Sequence, residues 1–212
     1  MDTIYKSDTK RVFLTFDDGP SPVTSKILDI LKQENVKATF FILGSNVDSR
    51  KDVVKRMYEE GHYLANHGYS HTYSKIYSSP QSVLDEYNEC NDKVKNAIEV
   101  PDYNSHLFRF PGGLAGGKYA EIKKEAKELL LQNNIVNVDW NALTGDAETN
   151  NLSVEFEMTR LTETMESKNS LVILMHDAAA KSVTADALPQ IIAKLKEEGY
   201  EFKNIRIEVG TS

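Results

Sequence analysis

Short apolar runs rich in β-branched and aromatic residues alternate along the chain with longer stretches of helical period, and no other feature constrains the fold so strongly. VFLTF (12–16) precedes a helical pattern over 24–35, in which Ile27, Leu28, Ile30 and Leu31 share one stripe. VKATFFIL (36–43) precedes a second pattern around Val53, Val54 and Met57, closed by Gly61. HYLAN (62–66) leads to a longer helix over 82–98, opened by a turn at Ser79 and Pro80. LFRF (107–110), a helix over 118–132, IVNVDW (135–140), a helix over 153–167, SLVILMH (170–176), a helix over 184–198 and YEFKNI (200–205) complete the series. Strands alternating with helices form βαβ units and a parallel sheet. About seven such units predict an α/β fold, a distorted (β/α) barrel of about seven parallel strands, closed or nearly so. With no Pro/Ser-rich linker, low-complexity tract or internal repeat, residues 1–212 read as a single domain.

Composition narrows the partners. The 25 Lys and Arg against 32 Asp and Glu leave a net charge of -7, with no basic cluster. That balance argues against nucleic acid and against an anionic membrane surface as partners. One cysteine, Cys90, excludes an internal disulfide and a zinc ribbon. No apolar run reaches the length of a membrane span. MDTIYKSDTK at the start lacks the apolar core of a signal peptide, so the sequence reads either as a cytoplasmic protein or as a domain whose export segment lies outside it.

Barrels of this kind gather their chemistry at the C-terminal ends of the strands, and the reactive residue types fall there. Asp17 and Asp18 follow the first strand, NHGYSH the third, RFPGG ends the fourth, DWNALTGD the fifth and MHD the sixth. His67 and His71 are four residues apart, so a helical turn or tight loop can aim both imidazoles at one ion. Hydrolytic zinc sites combine two His with a carboxylate and keep one position open for water. No Glu follows His67, which excludes the zinc-protease arrangement; the third ligand and the general base come from elsewhere. The adjacent carboxylates Asp17 and Asp18 can supply both, whereas the structural alternative is a solvated turn in which Asp caps the next helix.

TFDDGP, HGYSH, RFPGG, WNALTGD and LMH, in this order and spacing, resemble the five motifs of polysaccharide deacetylases, the NodB-homology family or carbohydrate esterase family 4, across about residues 12–205. The resemblance implies Asp17 as general base, Asp18, His67 and His71 as metal ligands, and Arg109 as the partner that holds Asp17 ionised. It implies an oxyanion-binding backbone N–H at Gly112, a general acid at His176 oriented by Asp146, and an acetyl pocket lined by Leu174. Trp140 and Tyr69 are the further pocket expectations, as faces on which a sugar can stack. The implied cofactor is one divalent metal, Zn2+ first, with Co2+ or Ni2+ able to fill the same sphere. The implied reaction removes N-acetyl groups from N-acetylglucosamine residues of a cell-wall polysaccharide, peptidoglycan first, by a monomeric enzyme at the cell surface or outside it. Chitooligosaccharide deacetylase and acetylxylan esterase are the alternatives, and a catalytically silent carbohydrate-binding module is the remote one.

The sequence departs from the family pattern at Gly68, where Ser or Thr is usual, at Gly112 in place of Tyr, and at Ala147, where an aromatic is frequent. A hydrogen bond stiffening the metal loop is expected to be missing, and the groove to be more open. His62 and Cys90 read as packing residues, His106 as exposed, and Asp177 as a loop-fixing neighbour of His176. Tyr69, Tyr73 and Tyr77 recur every four residues and read either as ordinary packing or as a sugar-binding rim.

Overall fold

Strand β1 (Arg11–Asp17) lies at the centre of the sheet, and its alternation organises the whole molecule. Val12, Leu14 and Phe16 point outward into the main core, while Phe13, Thr15 and Asp17 face the barrel interior. Successive strand residues face opposite sides, so an apolar run buried on both faces can still deliver a column of chemistry to one of them. The computed structural model describes residues 2–205.

After a 3-10 turn at Asp2–Tyr5 and β1 come α1 (Pro22–Gln33), β2 (Thr39–Ile42), α2 (Gly44–Val47), α3 (Lys51–Glu59) and β3 (Tyr63–Asn66). Then follow α4 (Tyr73–Ile76), α5 (Pro80–Ile98), β4 (Leu107–Phe108), α6 (Ala120–Gln132), β5 (Val136–Asn137) and β6 (Ala142–Leu143). The chain continues with α7 (Val154–Met165), β7 (Ser170–His176), α8 (Ser182–Glu197) and β8 (Glu201–Phe202). All ladders are parallel, in the order β5-β4-β3-β2-β1-β7-β6, and β8 pairs with the first two residues of β1. The expected helices are all present within a few residues of their sequence bounds. Ser21 opens α1 through a capping box with Thr24, and Ser79 caps α5 just ahead of Pro80.

The distorted barrel is curled rather than fully closed, and the expected strand at 135–140 is the place where it differs. That stretch keeps only β5, and β6 begins beyond it; the two pair with β4 and β7, on opposite sides of the seam. Between them the chain crosses the seam, with Val138 N donating to Phe108 O on one side and Asn141 N donating to Val172 O on the other. The chain leaves β4 after Asn137 and joins β7 at Ala142, so the run between them carries no ladder. The carbonyls turned inward by the crossing are taken by Arg109: Nε donates to Val138 O at 3.0 Å and Nη2 to Asp139 O at 3.0 Å. The expected strand at 200–205 is likewise trimmed to β8, and the run at 107–110 to the two residues of β4.

Three apolar clusters divide the work. The largest packs α1, α3, α5, α7 and α8 on the outside of the sheet. A second joins α5 and α6 beneath the loop after β4. The third fills the barrel floor with Phe13, Phe41, Ala65, Leu107, Val138, Val172 and Ile205. Arg109 is fully buried above that floor, its guanidinium 3.9 Å from the Phe41 ring centroid. Replacing Arg109 with Met leaves Asp17 and two inward carbonyls without donors. Removal of one partner from a buried pair costs about 3–5 kcal/mol, so urea unfolding is expected to show a loss of that size, and an unchanged midpoint would contradict the seam-closing role.

Candidate metal centre and active site

Asp17 ends β1 in register with His176 at the end of β7, and Thr15 pairs with Leu174 two residues below. Both strands therefore point alternate side chains into the same mouth: Leu174 nearly buried beneath, Asp17 and His176 above. The next residue breaks the pattern. Asp18 has φ of 75°, in the left-handed region that non-glycine residues seldom enter. This turn brings its carboxylate round to the histidine loop after β3 instead of to the opposite face.

The two imidazoles come from that loop. His67 Nε2 is 3.5 Å and His71 Nε2 3.4 Å from Asp18 Oδ1, and the three ligand atoms lie within 4.8 Å of one another. A tetrahedral zinc site with bonds of about 2.0–2.1 Å has ligand–ligand edges of about 3.4 Å, so the spacing fits one ion. The chemistry of the donors fits as well. His67 Nδ1 bonds Arg109 O at 2.8 Å, which makes Nδ1 the protonated nitrogen and leaves the Nε2 lone pair facing Asp18. Burial pushes His67 down to about 3, outweighing the opposing charge of Asp18, and so keeps the ring neutral. Asp18 Oδ1 is buried and has no hydrogen-bond partner among the described residues, as expected of an atom reserved for a cation.

Asp17 is set apart from that triad by Arg109. Nη1 donates to Asp17 Oδ1 at 2.8 Å and to Thr15 Oγ1 at 2.8 Å, while Asp17 Oδ2 stands 3.8 Å from His67 Nε2. The sequence reading expects Arg109 to hold the Asp17 pKa down. The net direction is upward, because burial outweighs the lowering by Arg109 and His176. Arg109 limits the rise rather than reversing it, which leaves a carboxylate more basic than an exposed one.

On the other wall, Asp146 holds His176 twice, through Nδ1 at 2.8 Å and through the backbone N–H at 2.7 Å. Burial alone would lower His176, but the Asp146 hydrogen bond and the charges of Asp146, Asp17 and Asp18 raise it to about 9. Thr184 Oγ1 donates to Asp146 Oδ2 at 3.1 Å, and Lys181 Nζ to Asp146 O at 2.5 Å, so α8 fixes the pair from behind. Asp177 fixes the adjoining turn as expected: Thr24 donates to its Oδ2 at 2.5 Å, and it fills the space beside Gly19.

The remaining expectations divide. Gly112 adopts φ of 74°, and its N–H makes no backbone hydrogen bond among the described residues. A Cβ there would stand 2.4 Å from Tyr73 Oη, so the wall left open by the glycine is occupied by Tyr73 from α4. The Tyr69 ring is half-buried and packs beside Gly44 and Cys90, with the loop amides at Tyr69 and Ser70 bonded to Glu86 on α5. Tyr77 is buried and donates to Pro111 O at 2.7 Å, so of the three tyrosines only Tyr73 lies at the rim. Trp140 is half-buried over Gly113 at the seam. His62 accepts from Ala38 N in the core, and His106 is half-buried rather than exposed, bonded to Asn134 O. Cys90 is buried, as expected.

Two supporting residues escape the sequence reading. Glu86 on α5 accepts from Tyr69 N at 2.8 Å, Ser70 N at 2.7 Å and Ser70 Oγ at 2.5 Å. It supplies the stiffening of the metal loop expected to be missing at Gly68, where a Cβ would meet Ile76 at 2.8 Å. Lys123 is buried and donates to Gly113 O at 2.6 Å, bracing the loop that carries Gly112. Its signal was legible: Lys123 falls in the stripe of Ala126 and Leu130 on α6.

The polysaccharide deacetylase family model matches residues 5–132, more than half of the chain. The chain belongs to the polysaccharide deacetylase family. YheN of Bacillus subtilis is 38% identical over 200 residues, covering 91% of this chain and 66% of the relative. A peptidoglycan-N-acetylglucosamine deacetylase of Bacillus cereus is 34% identical over 199 residues, 92% of this chain and 69% of the relative. The chain thus spans about two thirds of the length of these relatives. Among solved structures, a Streptococcus mutans CE4 esterase superposes with a TM-score of 0.88 at 35% identity, over 97% of this chain and 90% of that one.

Outer groups that orient metal ligands are commonly worth about 10–100-fold in metal affinity. Glu86→Ala, which leaves two loop amides unpaired, is expected to weaken zinc binding by that factor in a chelator competition titration. Unaltered affinity would show that the loop holds its shape without Glu86.

Proposed function

We propose that the protein is a divalent-metal-dependent hydrolase that removes N-acetyl groups from N-acetylglucosamine residues of a glycan, with peptidoglycan as the first substrate. The observation that carries this reading is the separation of two neighbouring carboxylates. Asp18 turns to two imidazole nitrogens, while Asp17 is tied to Arg109 with one oxygen free.

Asp18, His67 and His71 would hold the ion. When bound, a divalent cation there supplies Lewis acidity to a water and to the acyl carbonyl; zinc fits a His2Asp set, and cobalt or nickel suits the same donors. Asp17 Oδ2 accepts the proton of the attacking water, its basicity raised by burial and its orientation fixed by Arg109. The Gly112 N–H donates to the carbonyl oxygen as negative charge develops on it. His176 Nε2 then protonates the departing amine, with Asp146 holding the ring through Nδ1. Leu174 gives the acetyl methyl an apolar seat, and Trp140 and Tyr73 frame the sugar. Base and acid are thus pushed toward their tasks by opposite surroundings.

The intact pair Asp17 and His176 disfavours a silent binding module. Chitooligosaccharides and acetylated xylan remain competing substrates for the same chemistry. No helix among the described residues is long and apolar enough to cross a membrane; a wall polymer as substrate assigns the enzyme to the cell surface or beyond it, working as one catalytic domain and as a monomer.

Acetate release from glycan strands and from N-acetylglucosamine oligomers tests the reading. Dialysis against a chelator is expected to abolish release and added zinc to restore it; release that survives complete metal removal would overturn it. The pH profile gives a second check. His176 must carry its proton, and since its pKa is raised from 6.5 to about 9, activity is retained until the pH rises through about 9. Asp146→Asn removes the largest of the groups that raise it and leaves Asp17 and Asp18 in place, so the alkaline limb is expected to move down from about 9, with a rate loss of about 10²–10⁴. An unmoved limb would show that another group is the acid.

A further inference from the structure

A recess of about 390 Å3 opens beside the triad, with Asp18 and His71 in its wall, and runs between the β1–α1 turn and the start of α3. It draws no residue from the Gly112 loop, so it extends the site on another side. Its volume is within the range of small-molecule subsites, about 300–1,000 Å3. Arg50, the residue that precedes α3, lines it.

Arg50 is paired with no carboxylate among the described residues, where it makes no ion pair and no side-chain hydrogen bond. The other arginines in the helices and barrel are committed: Arg56 to Asp29 and Glu60, Arg109 to Asp17, Arg160 to Glu148 and Glu163. Asp48, two residues upstream, is held by Lys51 at 3.6 Å and by Lys93. In a chain of net charge -7, an unpaired guanidinium on the wall of the site contributes no pair to the fold and is left for an anion from outside. A planar fork of donors suits a carboxylate in particular.

We propose that Arg50 forms a subsite for a carboxylate carried by the sugar next to the one being deacetylated, so that the enzyme favours glycans with alternating acidic residues over neutral oligomers. The inference rests on the deacetylase reading and names its substrate class. The muramic acid of peptidoglycan offers such a carboxylate in two forms: the free lactyl group of a peptide-free strand, or the carboxylates of a stem peptide that has amidated it.

The test compares zinc-loaded wild type, Arg50→Gln and Arg50→Glu on three substrates of matched length: an N-acetylglucosamine oligomer, peptide-free glycan strands and peptide-bearing strands. The ratio of kcat/KM for acidic over neutral glycan is expected to fall about tenfold in Arg50→Gln, the order of one charged hydrogen bond. The fall is expected mainly through KM, and to be larger in Arg50→Glu. A fall confined to peptide-free strands identifies the lactyl group, and one confined to peptide-bearing strands the stem peptide. Equal losses on all three substrates, or an unchanged ratio, would overturn the proposal. Should wild type release acetate from none of them, the deacetylase reading fails, and equilibrium binding of the same glycans decides the Arg50 subsite by the same ratio.

Discussion

Arg109 carries its charge wholly inside the barrel, and each of its nitrogens has an acceptor. The carbonyls of Val138 and Asp139 come from the chain that crosses the open seam; Thr15 and Asp17 come from the central strand. One planar group therefore joins the two sides of a sheet that its own ladders leave unclosed, and the same bonds fix the carboxylate above. Its backbone carbonyl also sets the tautomer of His67. A lysine has neither the fork nor the reach to replace these contacts. Fold closure, the orientation of the Asp17 carboxylate and the tautomer of His67 all pass through this residue.

Around it the site uses burial in opposite senses. The His67 imidazole is driven neutral, as a metal ligand requires, whereas His176 is driven toward the cation by Asp146 despite its own burial. Both rings sit in low-dielectric surroundings, so what separates them is the partner at Nδ1: a backbone carbonyl for one, a carboxylate for the other. A further buried acid, Glu157, shares Thr184 with Asp146 and is raised to about 7 by burial and by the Asp146 charge. It lies behind the Asp146–His176 pair, joined to it through Thr184.

The strand–helix alternation and the residues at the strand ends were legible in the sequence because each rests on local pattern: apolar periodicity, caps such as Ser21 and Ser79, and motifs at the ends of β1, β3 and β7. The shortening of 135–140 to β5 was not, because IVNVDW has the composition of one strand and the crossing from β4 to β7 that ends its ladder appears only in the fold. Glu86 was missed, and Tyr73 was left open between packing and rim, for a related reason. Their roles arise where α5 and α4 pack on loops distant in sequence, so that Glu86 replaces a hydrogen bond thought lost at Gly68 and Tyr73 fills the wall left by Gly112. The lowering of Asp17 by Arg109 was foreseen correctly in sign, but full burial, which no motif reveals, outweighs it.

In the proposed mechanism two adjacent aspartates do different work, one gripping a cation and one left to take a proton. Zinc stoichiometry and acetate release measured together on Asp17→Asn and Asp18→Asn test that division directly. The account predicts that Asp17→Asn still binds one zinc per chain while turnover falls at least about a hundredfold, and that Asp18→Asn loses the metal and the activity together. If Asp17→Asn sheds its zinc as readily as Asp18→Asn, or if Asp18→Asn keeps it, the two carboxylates are not divided in this way and the mechanism is wrong.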